Sequence, residues 1–73
     1  MSDRVVVDPA IHLGKPCVRG TRIPVHCVLE VVEQGIAFSE ITEKYYPELT
    51  IEDVRACVGY AAAVLRDEET YAA

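Results

Sequence analysis

A glycine- and proline-rich run near the N-terminus constrains this chain more than any other stretch. It reads Gly14-Lys15-Pro16-Cys17-Val18-Arg19-Gly20-Thr21-Arg22-Ile23-Pro24-Val25, with two glycines, two prolines and three basic residues. Proline cannot donate a backbone hydrogen bond, so it is found at strand edges, turns and helix starts. Cys17-Val18-Arg19 is therefore predicted to be a short extended strand, and Pro24 the first residue of a helix.

The β-branched segment Val5-Val6-Val7 precedes this run and ends at Asp8-Pro9, a turn signal. It predicts a strand that pairs with Cys17-Val18-Arg19, which gives a β-arm or hairpin over about residues 1–23. Because Pro16 cannot extend a hydrogen-bonded ladder, we expect this small sheet to end in an exposed edge. A second copy of the chain would be the natural partner for that edge.

From Pro24 onward the apolar residues follow a helical period. The first predicted helix ends at Gly35, a typical C-terminal stop, and the second, shorter helix ends at Pro47. The residues that carry the period are Val25, Val28, Leu29 and Val32 in the first helix and Phe38, Ile41 and Tyr45 in the second.

A third helix is predicted to begin at Thr50, where Thr50-Ile51-Glu52-Asp53 resembles a capping box. Its apolar positions keep one face for about four turns; they are Ile51, Val54, Val58, Ala61 and Leu65. Two short helices and a longer capped one predict a mainly α, homeodomain-like three-helix core, helix-turn-helix-like, over about residues 24–66.

The last residues, 67–73, have no apolar periodicity and form an acidic tail. We expect this tail to fray unless a partner orders it, because few apolar groups are available to hold it in place. Its candidate partner-binding residues are Asp67, Glu68, Glu69 and Tyr71. The whole chain is thus predicted to be a single domain of residues 1–73.

Charge divides the chain into two unequal parts. Residues 1–27 carry four basic and two acidic residues, a net +2, whereas residues 28–73 carry three basic and ten acidic ones, a net −7. The first part can meet a polyanion and the second repels it. The candidate nucleic-acid-binding residues are Arg4, Lys15, Arg19 and Arg22.

At 73 residues the chain has room for one domain, and a chain of this size buries only about 60–65% of its unfolded surface. Its stability alone is expected to be marginal, so oligomerisation, most simply a homodimer, is the predicted remedy. Gly59 and Ala63 lie four residues apart on the third helix, where small side chains allow close approach of another helix. The candidate interface residues are Cys17, Val18, Gly59 and Ala63.

The sequence contains no recognisable catalytic motif and no complete set of metal ligands. His12 and His26 have no nucleophile at a recognisable motif spacing, and Gly14-Lys15 lacks the other residues of a phosphate loop. A zinc site built from Cys17, His26 and Cys27 would lack an obvious fourth ligand. We therefore expect no enzyme activity, no metal and no cofactor.

The order of several short motifs resembles the bacterial and archaeal family called domain of unknown function 433. The resembling segments are Asp8-Pro9 with Ile11, Gly14-Lys15-Pro16, Arg19-Gly20-Thr21-Arg22-Ile23-Pro24-Val25, Gly35, Glu40-Ile41, Tyr46-Pro47, and Leu49-Thr50 with Glu52-Asp53-Val54. The resemblance implies a β-arm followed by a homeodomain-like three-helix core. It also implies an association with PIN-like toxins in type II toxin–antitoxin pairs of the VapB kind, and no established enzyme activity.

One position departs from the family pattern. The family usually places Ser two residues after the glycine that ends the first helix, whereas this chain has Ala37. Alanine cannot cap a helix, at a typical cost of about 1 kcal/mol. The second helix is therefore expected to begin later, with Ser39 as its cap.

The resemblance implies that this protein is a cytoplasmic interaction module, the antitoxin half of a toxin–antitoxin pair, and the charge pattern predicts that its third helix and acidic tail contact the PIN-like nuclease. No apolar run approaches the roughly 18–20 residues of a membrane span, and the first residues do not resemble a signal peptide.

The alternative function is a DNA-binding transcriptional regulator with no toxin partner. Glu52 and Asp53 lie in the first turn of the third helix, where a recognition helix enters the major groove, with only Arg55 in compensation. DNA binding is therefore assigned to the basic arm.

Overall fold

A computed structural model describes the backbone of residues 3–72 and the side chains of residues 3–67. Over this part of the chain the fold is mainly α, with a short antiparallel hairpin followed by three helices, which confirms the predicted fold class. The strands are β1 (Val5–Val6) and β2 (Cys17–Val18), and the first and third helices are α1 (Val25–Glu33) and α3 (Ile51–Ala72). The second, α2, is an α-helical turn, Phe38–Glu40, continued by a π-helical turn, Ile41–Tyr45.

The β-arm forms as predicted, with each strand one residue shorter than predicted, since Val7 and Arg19 lie outside the assigned strands. β1 and β2 run antiparallel, with Val5 opposite Val18 and Val6 opposite Cys17. One residue beyond the assigned strands, the Arg19 backbone N–H donates to the Arg4 carbonyl at 2.7 Å.

The other side of β2 is not the open edge that the sequence predicted. The Val18 N–H donates to the Ile23 carbonyl at 3.0 Å, and the Val25 N–H donates to the Pro16 carbonyl at 2.9 Å. Pro24 forms an isolated bridge opposite Cys17. The prediction of an unpaired edge is wrong because Gly20, with φ of +81°, reverses the chain immediately after β2.

The first helix begins one residue later than predicted. Pro24 has φ −68° and ψ 146°, so it is the extended residue before α1 and Val25 is the first helical one. The predicted stop at Gly35 is confirmed: this glycine has φ of +83° and its N–H donates to the Val32 carbonyl at 2.9 Å.

The second helix begins at Phe38 with Ala37 before it, and no side-chain hydrogen bond caps it. The expectation that Ser39 replaces the missing cap is wrong. Ile41 is fully buried and its N–H donates to the Ala37 carbonyl at 3.0 Å, so packing of this side chain fixes the first turn without a cap. The π-helical turn closes where the Tyr46 N–H donates to the Ile41 carbonyl at 2.7 Å.

The capping box of the third helix is confirmed. The Thr50 N–H donates to Asp53 Oδ2 at 2.9 Å, and the Asp53 N–H donates to Thr50 Oγ1 at 3.2 Å. The helix then runs to Ala72, past the predicted core boundary at Arg66. Its last turns contain Arg, Glu and Ala, which favour helix, and neither Gly nor Pro to end it.

The core lies between the arm, α1, α2 and the first half of α3. Among the described side chains the buried hydrophobic residues are Cys17, Val18, Val25, Val28, Val31, Ile41, Leu49, Val54 and Cys57. The predicted apolar face of α3 is only partly right, because Val54 is buried but Ile51 and Leu65 are 42% and 58% exposed. Within the described residues, no helix is long and apolar enough to cross a membrane.

We expect Gly20→Ala to lower the free energy of unfolding by about 1 kcal/mol, because an L-residue in the left-handed region is strained. No atom lies within 4 Å of an added Cβ at this position, so the effect reports backbone strain alone. Gly59→Ala is the matched control: it also meets open space but lies inside a helix, and should raise stability by about 0.5–1 kcal/mol. Urea unfolding followed by circular dichroism measures both. Equal effects of the two changes would contradict the assigned role of Gly20.

Candidate nucleic-acid and protein interfaces

The β-arm brings three of the four predicted nucleic-acid-binding residues together. Because Val5 lies opposite Val18, Arg4 lies opposite Arg19, and directly opposed residues of an antiparallel pair project from the same face. Cys17 lies opposite Pro24 and the Val18 N–H donates to the Ile23 carbonyl, so Arg22 comes opposite Arg19 where the chain turns back. Lys15 precedes β2 at its other end. The arm therefore presents an arginine cluster, Arg4, Arg19 and Arg22, from which Lys15 is separated.

The arginine cluster is joined to the first turn of α3. Arg4 Nη1 donates to Asp53 Oδ1 at 3.0 Å and forms an ion pair with it. The basic arm and the predicted recognition helix are thus parts of one surface, although the sequence treated them as alternatives. Spacing along the chain gave no signal for this contact, since the two residues are separated by nearly the whole three-helix core.

Asp53 has a structural role that changes the electrostatic argument. Its partial burial raises the pKa of the carboxyl group, but hydrogen bonds from Thr50 and Arg4 lower it by more, so the net shift is below the ordinary 3.8. The charge of Asp53 is therefore compensated within the chain. Of the two carboxylates that weighed against α3 as a DNA reader, Asp53 is half-buried and Glu52 is exposed, and Arg55 is exposed in the next turn.

The remaining arm contacts hold the cluster in shape. Arg19 Nε donates to the Asp3 carbonyl. His12 Nε2 is hydrogen bonded to the Arg22 carbonyl at 2.6 Å, so the imidazole ties the loop after β1 to the turn after β2. His12, Leu13 and Gly14 all have positive φ values, of 49°, 58° and 83°, which leaves Leu13 96% exposed.

An apolar depression of about 470 Å³, which the sequence did not predict, lies between α1 and the second half of α3. Val25 and Leu29 line it from α1, and Ala61, Val64 and Leu65 line it from α3. Lys15 lies at its rim beside Pro16, away from the arginine cluster. The sequence signal that could have indicated this depression is Val64-Leu65, a pair of consecutive large apolar residues. They follow Cys57, the last buried residue among the described side chains of α3.

Two of the four predicted dimer residues are inside the chain itself. Cys17 and Val18 are each only 1% exposed, and the backbone of β2 is paired on both sides. Their assignment to a dimer interface is wrong because they belong to the core of the single chain. Gly59 is exposed and Ala63 half-buried, so these two remain available on α3.

The cysteines and histidines form no metal site in the described residues, where no group of three or more His, Cys, Asp or Glu side chains is placed to hold an ion. Cys27 Sγ lies 3.6 Å from His26 Nε2, and Cys17 is buried against the Lys15 carbonyl. Burial, with a smaller contribution from the charge of Asp53, raises the pKa of the Cys57 thiol to about 11. Cys57 is thus a core residue with little thiolate at neutral pH.

The predicted partner-binding residues of the tail are only partly described. Asp67 is exposed at the end of the described side chains. Glu68, Glu69 and Tyr71 lie outside the described side chains.

The Asp53 contacts predict a specific pH dependence. A carboxylate whose pKa is lowered by folding stabilises the fold above the ordinary value of 3.8 and loses that contribution as the pH falls through the folded-state pKa. We expect Asp53→Asn to reduce the loss of unfolding free energy between about pH 7 and about pH 3, measured by urea denaturation. Glu52→Gln removes the adjacent exposed carboxylate and serves as the control, with the pH dependence of the original chain retained. A dependence unchanged by Asp53→Asn would contradict the assignment.

Comparison with known proteins gives a family but no curated function. No functionally curated protein matches the chain. A solved structure described as the crystal structure of a DUF433 member protein from Anabaena variabilis ATCC 29413 is similar, with a TM-score of 0.76 and 27% sequence identity over 96% of this chain and 68% of that one. The family model described as protein of unknown function (DUF433) matches residues 5–61, which include the arm, α1, α2 and the first half of α3. The chain therefore belongs to the DUF433 family.

Proposed function

We propose that this protein is a non-enzymatic cytoplasmic interaction module, the antitoxin component of a type II toxin–antitoxin pair that binds and neutralises a PIN-like nuclease. The observation that carries the proposal is the length of α3 beyond the core. Among the described side chains of this helix Cys57 is the last fully buried one, yet the helix continues to Ala72 and presents Val64, Leu65 and Asp67 to solvent. A projecting helix with apolar and acidic residues is a surface suited to a protein partner.

The charge of this projecting segment favours a nuclease as the partner. The sequence Asp67-Glu68-Glu69 follows Leu65 and Arg66, and a nuclease active site is built to receive a polyanion and divalent metal ions. Carboxylates can occupy the place of phosphates there or bind the metal ions themselves. The toxin contact is accordingly assigned to α3 and the acidic tail.

The second candidate function is DNA binding, as a transcriptional regulator without a toxin partner. The arginine cluster beside the first turn of α3 favours it, because helix-turn-helix proteins bring this part of the third helix to the major groove while neighbouring segments contact phosphates. The ion pair of Arg4 with Asp53 removes part of the acidic objection to such an approach. A gene for a PIN-like nuclease beside the gene for this protein would favour the antitoxin role over a regulator that acts alone.

Removal of residues 67–73 is expected to leave folding nearly unchanged and to weaken neutralisation of the nuclease encoded beside this protein. Growth rescue and co-purification after co-expression measure the effect, and circular dichroism checks the fold. Asp67→Asn with Glu68→Gln and Glu69→Gln keeps the length of the chain and tests the charge alone. If the truncated chain binds and neutralises as well as the full chain, the acidic tail makes no toxin contact.

DNA binding, if it occurs, should depend on the arginine cluster. Arg19→Ala combined with Arg22→Ala is expected to abolish a salt-sensitive mobility shift on the promoter of the protein's own gene, because each lost phosphate contact weakens binding and its salt dependence. Glu52→Ala is the control on α3 and should leave the shift intact or strengthen it. Loss of binding in Glu52→Ala, with the arginine variant still active, would instead assign DNA contact to α3 alone.

A further inference from the structure

The apolar depression between α1 and α3 is part of a larger exposed surface. A second depression adjoins it across Lys15 and His26, which line both, and Leu13 stands at the edge of this second one. Leu13 is 96% exposed and Leu65 58% exposed. We call this surface the groove face and define it by Leu13, Lys15, His26, Leu29, Val64 and Leu65.

The groove face differs in charge from the rest of the molecule. The chain has twelve acidic residues and a net charge of −5, yet neither Asp nor Glu is among the described residues that line the two depressions. The basic and imidazole groups that line the two depressions are Lys15, His12 and His26. Two molecules of charge −5 repel one another over most approaches, and an apolar surface lined by no described carboxylate avoids part of that repulsion.

The small hydrophobic core indicates that the chain would gain stability from such a contact. Nine described hydrophobic residues are buried, which is a small core for a domain that folds alone. A standard interface covers about 800 Å² per partner, roughly one sixth of the 5077 Å² of accessible surface of this chain. Burial of Leu13, Val64 and Leu65 would move large side chains from water into such an interface.

We propose that the groove face is the contact between two copies of this chain, related by a twofold axis so that the second half of each α3 packs over the groove of the other. A twofold contact uses the same surface on both molecules, and the groove face offers both the projecting side chains, Leu13 and Leu65, and the depression beside them. This interface replaces the β2 edge, which the chain itself covers. It is independent of the proposed DNA contact, but it shares Val64 and Leu65 with the surface proposed for the nuclease.

Two pairs of variants, matched in side-chain exposure, test where the dimer interface lies. Leu65 and Val7 are both 58% exposed, and Val64 and Ile51 are both 42% exposed, but only Leu65 and Val64 belong to the groove face. In sedimentation over a range of micromolar concentrations, Leu65→Asp and Val64→Asp should each raise the dimer dissociation constant at least about tenfold. Val7→Asp and Ile51→Asp should leave it within about twofold.

A third pair tests the charge argument. Lys15→Glu and Arg55→Glu change the net charge equally, but only Lys15→Glu places a carboxylate on the groove face. Lys15→Glu should weaken the dimer much more than Arg55→Glu, and added salt should restore part of the loss. Circular dichroism of each variant confirms that the helices are retained.

The proposal is overturned if the unmodified chain stays monomeric throughout the micromolar range. It is equally overturned if the groove-face variants and their matched controls weaken the dimer alike. A monomeric protein whose Leu65→Asp variant fails to bind the co-expressed nuclease would assign the groove face to that nuclease instead of to a second copy.

Discussion

Backbone pairing on both sides of β2 is the constraint on which the rest of the fold depends. One side pairs with β1, and the other receives the returning chain at Ile23 and Pro24. This double pairing puts Cys17 and Val18 in the core and fixes where α1 starts, because Val25 is bonded to the Pro16 carbonyl. The irregular segment around β2 is therefore a central part of the fold, in a chain that is too short to build a large core.

The second organising contact is the carboxylate of Asp53. The same side chain accepts the Thr50 N–H at the start of α3 and the Arg4 guanidinium from the arm. Helix capping and an ion pair therefore join the N-terminal strand to the last helix, at a place where the positive end of the helix dipole favours a negative charge. The residue that looked like an obstacle to DNA binding is the one that fixes an arginine beside the candidate reading helix.

Local signals predicted most of the fold, and contacts between distant residues account for most errors. The first strand, predicted at Val5-Val6-Val7 and found at Val5–Val6, the stop at Gly35 and the Thr50–Asp53 capping box each depend on a few adjacent residues, and each is confirmed. The open edge at β2 was wrong because pairing beyond Gly20 depends on a turn whose geometry the sequence leaves open. The apolar face of α3 was misplaced because periodicity locates a stripe but not the point where the core ends, which is why Leu65 is exposed and Cys57 is buried.

The candidate sites divide in the same way. The basic composition of the arm grouped Arg4, Lys15, Arg19 and Arg22 as candidate DNA contacts. The hairpin places Arg4 opposite Arg19, whereas Lys15 lies at the groove. The groove itself depends on how α1 packs against α3, which no local pattern specifies.

The exposure of Leu13 is a feature that the sequence did not predict. The left-handed turn that contains it is held by the hydrogen bond between His12 and the Arg22 carbonyl. This turn leaves the Leu13 side chain almost wholly exposed. Backbone strain in a turn that exposes a large apolar side chain is unfavourable for an isolated chain. Burial of Leu13 in the proposed dimer would offset part of that cost, and the turn and the groove beside it would then form two parts of one proposed contact surface.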